Sequence, residues 1–161
     1  MLTARYRLLL AISTVILLLD QATKIFIDKR FALYQSLTVV ENFFNITYVR
    51  NKGAAFGILA DSAIRIPFFI SVSVLASVGI LWYLSRVHEE QRLLQTALAL
   101  VFAGAVGNLI DRIRLGEVID FLDVHWYQYH WPAFNVADSA ITVGVGLLLW
   151  DLWKEERARK R

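Results

Sequence analysis

Between Ile66 and Ser85 the chain runs for twenty residues without a charged side chain. A helix rises about 1.5 Å per residue, so a run of this length crosses a hydrocarbon layer of about 30 Å. Three further apolar stretches accompany it, and together they predict spanning helices over approximately 6–27, 66–85, 93–111 and 134–152. The third and fourth are slightly short and carry polar residues at one end. Hydrophobic residues make up 57% of the 161 positions, against about 45–50% in a soluble domain. Because the excess lies in blocks, lipid is the solvent it points to. The expected fold class is an all-α membrane protein with a small β element, in one domain over residues 1–161.

The first stretch has a second reading. Arg5 and Arg7 followed by an apolar run resemble the start of a secretory signal. No small-x-small cleavage site follows Leu19, however, and the chain continues Asp20-Gln21-Ala22-Thr23-Lys24. An uncleaved first helix fits better. With four spans both termini share a side, and nine of the seventeen basic residues fall there. The dense tail of Lys154, Arg157, Arg159, Lys160 and Arg161 favours a cytoplasmic face against anionic lipid, not a nucleic-acid surface.

Two segments then lie outside the membrane, approximately 29–63 and 112–132. Phe44–Val49 alternates apolar and polar residues, and Glu117–Val124 is also strand-like, so the two are expected to pair at the membrane surface. The glycine-bracketed Lys52–Gly57 lacks the lysine and hydroxyl spacing of a phosphate loop.

Composition removes several chemistries. There is no cysteine, hence no disulfide, thiolate metal site or cysteine nucleophile. His88, His125 and His130 have no metal-ligand spacing. What remains is a set of ionisable residues at membrane depth, where a charge costs about 2.5–3.5 kcal/mol on insertion scales and so is paired, turned inward or functional. Asp20 and Lys24 are four apart and can compensate each other as a structural pair. Asn108 and Arg112 share a stripe with Gly104, where a small residue permits close helix approach; a packing asparagine and a snorkelling arginine are the simpler account. Asn135 and Asp138 open the fourth helix, whose positive N-terminal end favours a carboxylate.

Asp120 gives this set a chemical direction. It lies in an apolar strand eighteen residues before Asp138, far enough for the chain to fold back and bring the carboxylates together. Asp123 is the rival, but strand alternation puts it on the opposite face from Asp120. Two adjacent carboxylates cannot both ionise, so they share a proton and suit acid–base cleavage of an amide by water. A proton-coupled transporter and a non-enzymatic scaffold are the competing classes. The first would need acidic residues on the second helix, which has none.

In order along the chain, Asp20-Gln21-Ala22-Thr23-Lys24, Asn51-Lys52-Gly53-Ala54-Ala55-Phe56-Gly57, Gly107-Asn108-Leu109-Ile110-Asp111-Arg112, Val118-Ile119-Asp120-Phe121 and Phe134-Asn135-Val136-Ala137-Asp138 resemble the blocks of the lipoprotein signal peptidases (signal peptidase II). The resemblance spans almost the whole chain. It implies four transmembrane helices with an extracytoplasmic β-platform and a loop that closes over a cleft. It implies an aspartic endopeptidase of the bacterial inner membrane, with Asp120 and Asp138 as the catalytic pair. Asn51, Asn108, Arg112 and Asn135 are then expected to bind substrate or support the site, and Asp20 and Lys24 to support the first helix and the nearby loop. The implied substrate is a prolipoprotein whose lipobox cysteine already carries diacylglycerol. Membrane lipid and cyclic peptide inhibitors such as globomycin are the other implied partners. No cofactor, metal or nucleic acid is expected, and the chain is expected to act as a monomer.

Overall fold

The computed structural model describes residues 2–53 and 62–160. Its elements, in chain order, are α1 (Ala4–Arg30), β1 (Ser36–Val40), β2 (Phe44–Asn51), α2 (Arg65–Leu84), α3 (Arg92–Leu115), β3 (Val118–Trp126), β4 (Tyr129–His130) and α4 (Val136–Arg159). All four helices are long and apolar enough to cross a membrane. The strands lie only in the α1–α2 and α3–α4 connections, so one antiparallel sheet, ordered β1-β2-β3-β4, caps one end of the helices.

The helices overrun the lengths expected from hydropathy. α1 extends to both sides of 6–27, α3 continues past 111 to Leu115, and α4 carries the basic tail as helix to Arg159. Apolarity marks where lipid is, whereas a helix ends where its backbone is capped. For α3 that point is Gly116, at φ 70°, a left-handed conformation that glycine adopts without steric cost. Arg112, expected near the start of the outer segment, therefore sits inside α3. At α4 the start is later than expected: Asn135 is the cap, and the first helical residue is Val136.

α3 is the central helix, with more than half of its apolar stretch buried, while α2 exposes almost all of its own. The close partner of α3 is α4. A Cβ on Gly104 would collide with the Ala137 carbonyl oxygen, and one on Gly144 would lie 2.8 Å from that of Ala97. The two backbones touch because these positions lack side chains. Toward the sheet-free end, Leu9, Leu84, Val87, Leu94, Leu98 and Ala99 form one apolar cluster. At the sheet end Ile27, Tyr48, Ile119 and Phe121 form another, seating the strands on the helix ends.

The expected pairing of the two strand-like runs is present as β2 and β3. Val49 faces Asp120 and Asn51 faces Val118, with an irregularity between Ile46 and Val49. β1 and β4 extend this ladder on either side. Beyond β4 the chain turns back: the Phe134 carbonyl accepts from the amides of Phe121 (3.0 Å) and Leu122 (2.8 Å). That return lays residues 134–136 beside β3 and delivers the start of α4 to Asp120.

Candidate active site

Asn51 and Asp120 meet because of strand register. Asn51 is opposite Val118, and Asp120 is two residues farther along the same face, a diagonal neighbour within side-chain reach. The Asn51 Nδ2 donates to Asp120 Oδ2 at 2.9 Å, while the Asn51 Oδ1 accepts the Gly53 amide. Asp123 lies on the other face, as alternation requires, and bonds Asn45 and His130 instead.

Asp138 is fixed by the way its helix begins. Asn135 caps α4: its side-chain oxygen accepts the Asp138 amide at 2.9 Å, and the Asp138 Oδ2 accepts the Asn135 amide at 3.2 Å. This reciprocal capping box satisfies two amides that a helix start leaves unpaired. Asn135 has one more group to spend. Its Nδ2 donates to Asp120 Oδ1 at 2.7 Å. A single, fully buried asparagine thus bonds both carboxylates.

The two acids differ in surroundings. Asp120 is 2% exposed; burial, then the adjacent charge of Asp138, pushes its carboxyl up to about 7 against the opposing hydrogen bonds of Asn51 and Asn135. Asp138 is partly exposed and faces a cavity of about 850 Å³. Phe69, Val72 and Ala76 of α2, Val101 and Ala105 of α3, and Ile141 of α4 make its walls mostly apolar, while Asn51, Asn108, Arg112, Asp120 and Asp138 are among its polar side chains. Carboxylates so arranged can hold one proton between them while one keeps a negative charge to accept another.

Behind the carboxylates lies a buried ionic cluster. Lys24 Nζ is 2.9 Å from both Asp20 Oδ2 and Asp111 Oδ2 and donates to Asn108 Oδ1 at 3.0 Å. Asn108 Nδ2 in turn donates to Asp138 Oδ1 at 2.7 Å. Asp20 Oδ1 accepts the amide of Ala137, in the first turn of α4. The expected Asp20–Lys24 pair is present, but its described partners are on α3 and α4 instead of the outer loop. Helix geometry explains this: Asp20 and Lys24 share the face of α1 that packs on α3, and Gly107 opens space for the Asp20 carboxylate. A Cβ at Gly107 would come within 2.8 Å of it.

Asp111 completes the cluster and was not singled out from the sequence. The available signal is its spacing, three residues after Asn108 and seven after Gly104 on one face of α3. Gln21 bridges the same region, donating to Asp20 and Asp111. Also missed is a clasp at the last turn of α1, where Tyr48 OH donates to Asp28 and Arg50 bonds both, to Asp28 at 2.8 Å. It ties α1 to β2 beside Asn51. Arg112 lines the cavity with its guanidinium 4.8 Å from the Phe69 ring centre; among the described residues it makes no bidentate bond to a carboxylate. Of the second sequence block, Ala54–Gly57 and most of the expected closing loop lie outside the described residues.

Fold and site together define a multi-pass membrane protein with a paired-carboxylate site where its helices meet a small sheet. A family model described as signal peptidase (SPase) II matches residues 12–154. The chain is 58% identical to the lipoprotein signal peptidase of Geobacter sulfurreducens, covering 96% of each sequence. It is 56% identical to that of Syntrophotalea carbinolica, covering 94% of each. A solved bacterial membrane enzyme determined in meso at 2.3 Å superposes with a TM-score of 0.84 at 35% identity, over 92% of this chain and 88% of the other. A second, at 1.9 Å, gives 0.80 at 36% identity over 89% and 91%. The chain belongs to the signal peptidase II family.

Proposed function

We propose that this single-domain membrane peptidase, spanning 1–161, is an aspartic endopeptidase that removes signal peptides from diacylglyceryl-modified bacterial prolipoproteins. It cleaves on the N-terminal side of the lipidated lipobox cysteine. The observation that carries the reading is Asn135, which bonds Asp120 at 2.7 Å and, through its amide, Asp138 at 3.2 Å. Two acids tied to one buried asparagine in the wall of a mostly apolar cavity suit hydrolysis of an amide at a membrane interface.

In this mechanism the ionised carboxylate takes a proton from water as the water oxygen attacks the scissile carbonyl carbon. The protonated carboxyl donates to the carbonyl oxygen, giving a neutral gem-diol intermediate. Collapse of that intermediate breaks the C–N bond, with a proton passed to the departing nitrogen, and the pair returns to one shared proton. Asn51, Asn108 and Asn135 hold the acids still, and Arg112 is free to meet a substrate carbonyl at the cavity rim. The signal helix lies in the cavity between α2 and α4 with its acyl chains in lipid. Such remote binding positions the amide for attack.

The sheet and site face the outside of the cytoplasmic (inner) membrane in this reading, and both termini are cytoplasmic. Cyclic peptides such as globomycin would occupy the same cavity. The protein acts as a monomer and needs no cofactor or metal.

The test is cleavage of a diacylglyceryl-modified lipobox peptide and its unlipidated twin by purified protein in nanodiscs, with product masses recorded. Cleavage of the lipidated peptide alone, immediately before the modified cysteine, is the expected result. No cleavage, alongside an active relative handled identically, would sink the reading. Because the chain has no cysteine, single cysteines at Thr3 and Gln128 report orientation by impermeant labelling of cells; labelling at Thr3 alone would invert the topology proposed.

A further inference from the structure

The buried ionic cluster has more parts than anchoring a helix requires. Lys24 is 1% exposed and its ammonium meets three acceptors on two helices: Asp20, Asp111 and Asn108. Two carboxylates would suffice to hold its charge. The third contact is to a neutral amide, whose other end touches Asp138.

We propose that Lys24 is a positioning residue for cleavage, fixing the Asn108 amide so that its Nδ2 donates to Asp138. The chemistry is one-directional. An ammonium has three donors and no acceptor, so whichever amide atom faces it must be oxygen. With Oδ1 held 3.0 Å from Lys24, Nδ2 points to Asp138 Oδ1 at 2.7 Å. Asn135 Nδ2 also reaches the Asn108 oxygen, at 3.2 Å, but the same group serves Asp120 at the shorter 2.7 Å. Lys24 is therefore the principal hold on that oxygen. Were the amide free to turn, its oxygen would confront the Asp138 carboxylate, and Asp138 would lose one of its two fixed donors. Asp20 works toward the same end through backbone, accepting the Ala137 amide next to Asp138. A helix that lends no described residue to the cavity wall thereby sets the aim of a carboxylate inside it.

This inference rests on the assignment of Asp138 to the chemical step, so wild-type cleavage of the lipidated peptide is measured in the same experiment. Lys24→Met alone would leave two buried carboxylates unpaired and is expected to fold poorly. The informative variants carry Asp20→Asn and Asp111→Asn together with either Lys24→Met or Lys24→Gln, the second restoring a neutral donor toward Asn108. With both folded, the Met form is expected to lose tenfold or more in kcat with KM within twofold of wild type. The Gln form is expected to recover to within about threefold of wild type. Equal kcat in the Met form and wild type, equal loss in the Met and Gln forms, or a loss confined to KM would each overturn the proposal. A measurement on unmodified protein stands beside these: Asn108 side-chain amide protons should show nuclear Overhauser contacts to the first turn of α4. Contacts to the Lys24 methylenes instead would overturn the proposal even if no variant folds. Failure of the wild type to cleave would remove the peptidase reading itself.

Discussion

Replacing Asn51 by alanine should move the alkaline limit of activity upward. Asn51 donates to Asp120 Oδ2 at 2.9 Å, and this bond favours the ionised acid whose carboxyl titrates at about 7. A hydrogen bond to a charged group contributes about 1.5–3 kcal/mol, and one pKa unit corresponds to about 1.4 kcal/mol. Water entering from the cavity would replace part of the lost bond, leaving a shift of about one unit. The pair must keep one proton to act, so activity falls tenfold per pH unit above its upper apparent pKa. At pH 8.5, a limb at about 7 leaves about 3% of plateau activity, and one at about 8 leaves about 24%. The assay is kcat/KM against pH for wild type and Asn51→Ala in nanodiscs, each scaled to its own plateau. A limb that stays in place or moves down, in a folded variant, would refute the claim that the Asn51 bond to Asp120 holds down the upper apparent pKa of the pair.

Other consequences follow from the same contacts. The Asp120 carboxyl is raised from 3.8 to about 7, so its contribution to stability is fully present below pH 3.8 and is lost as pH rises through 7; the loss is about 4 kcal/mol. Asp120→Asn should accordingly melt higher relative to wild type at pH 8 than at pH 5, and a pH-independent difference would contradict this. Gly104→Val should cut thermal stability by about 1–3 kcal/mol or more, since its side chain meets the Ala137 backbone, whereas Gly79→Val, with nothing within 4 Å, should change little. Equal melting of the two glycine variants would show that α3 and α4 are not so close. Asp123→Asn should leave cleavage within a few fold, because Asp123 bonds Asn45 and His130 away from the pair; complete loss there would mean the wrong carboxylate was chosen.

Much of this site is legible in the sequence because lipid makes polarity conspicuous. Asp20, Lys24, Asn108 and Asp138 stand out within apolar runs, and period-2 alternation separates Asp120 from Asp123 before any fold is known. Helix ends are less visible. Hydropathy ends near 111, but α3 continues to Leu115 because the positive φ of Gly116, not polarity, stops it. The role of Asn135 was hidden for a similar reason: three-residue spacing pairs it with Asp138 equally well inside a helix turn or as a cap, and only the cap leaves its Nδ2 for Asp120. Asp111 was overlooked because a carboxylate beside Arg112 near an apolar boundary looks like a surface pair, yet packing of α1 on α3 turns it inward to Lys24. The Asp28–Tyr48–Arg50 clasp joins elements twenty or more residues apart, and no local pattern encodes such a meeting.

The central claim is that Asp120 and Asp138 carry out the cleavage together. Single-turnover reaction of a lipidated lipobox peptide with wild type, Asp120→Asn and Asp138→Asn, all folded in nanodiscs, tests it most directly. The account predicts cleavage by wild type and none by either variant; cleavage by all three would make both carboxylates structural and contradict it.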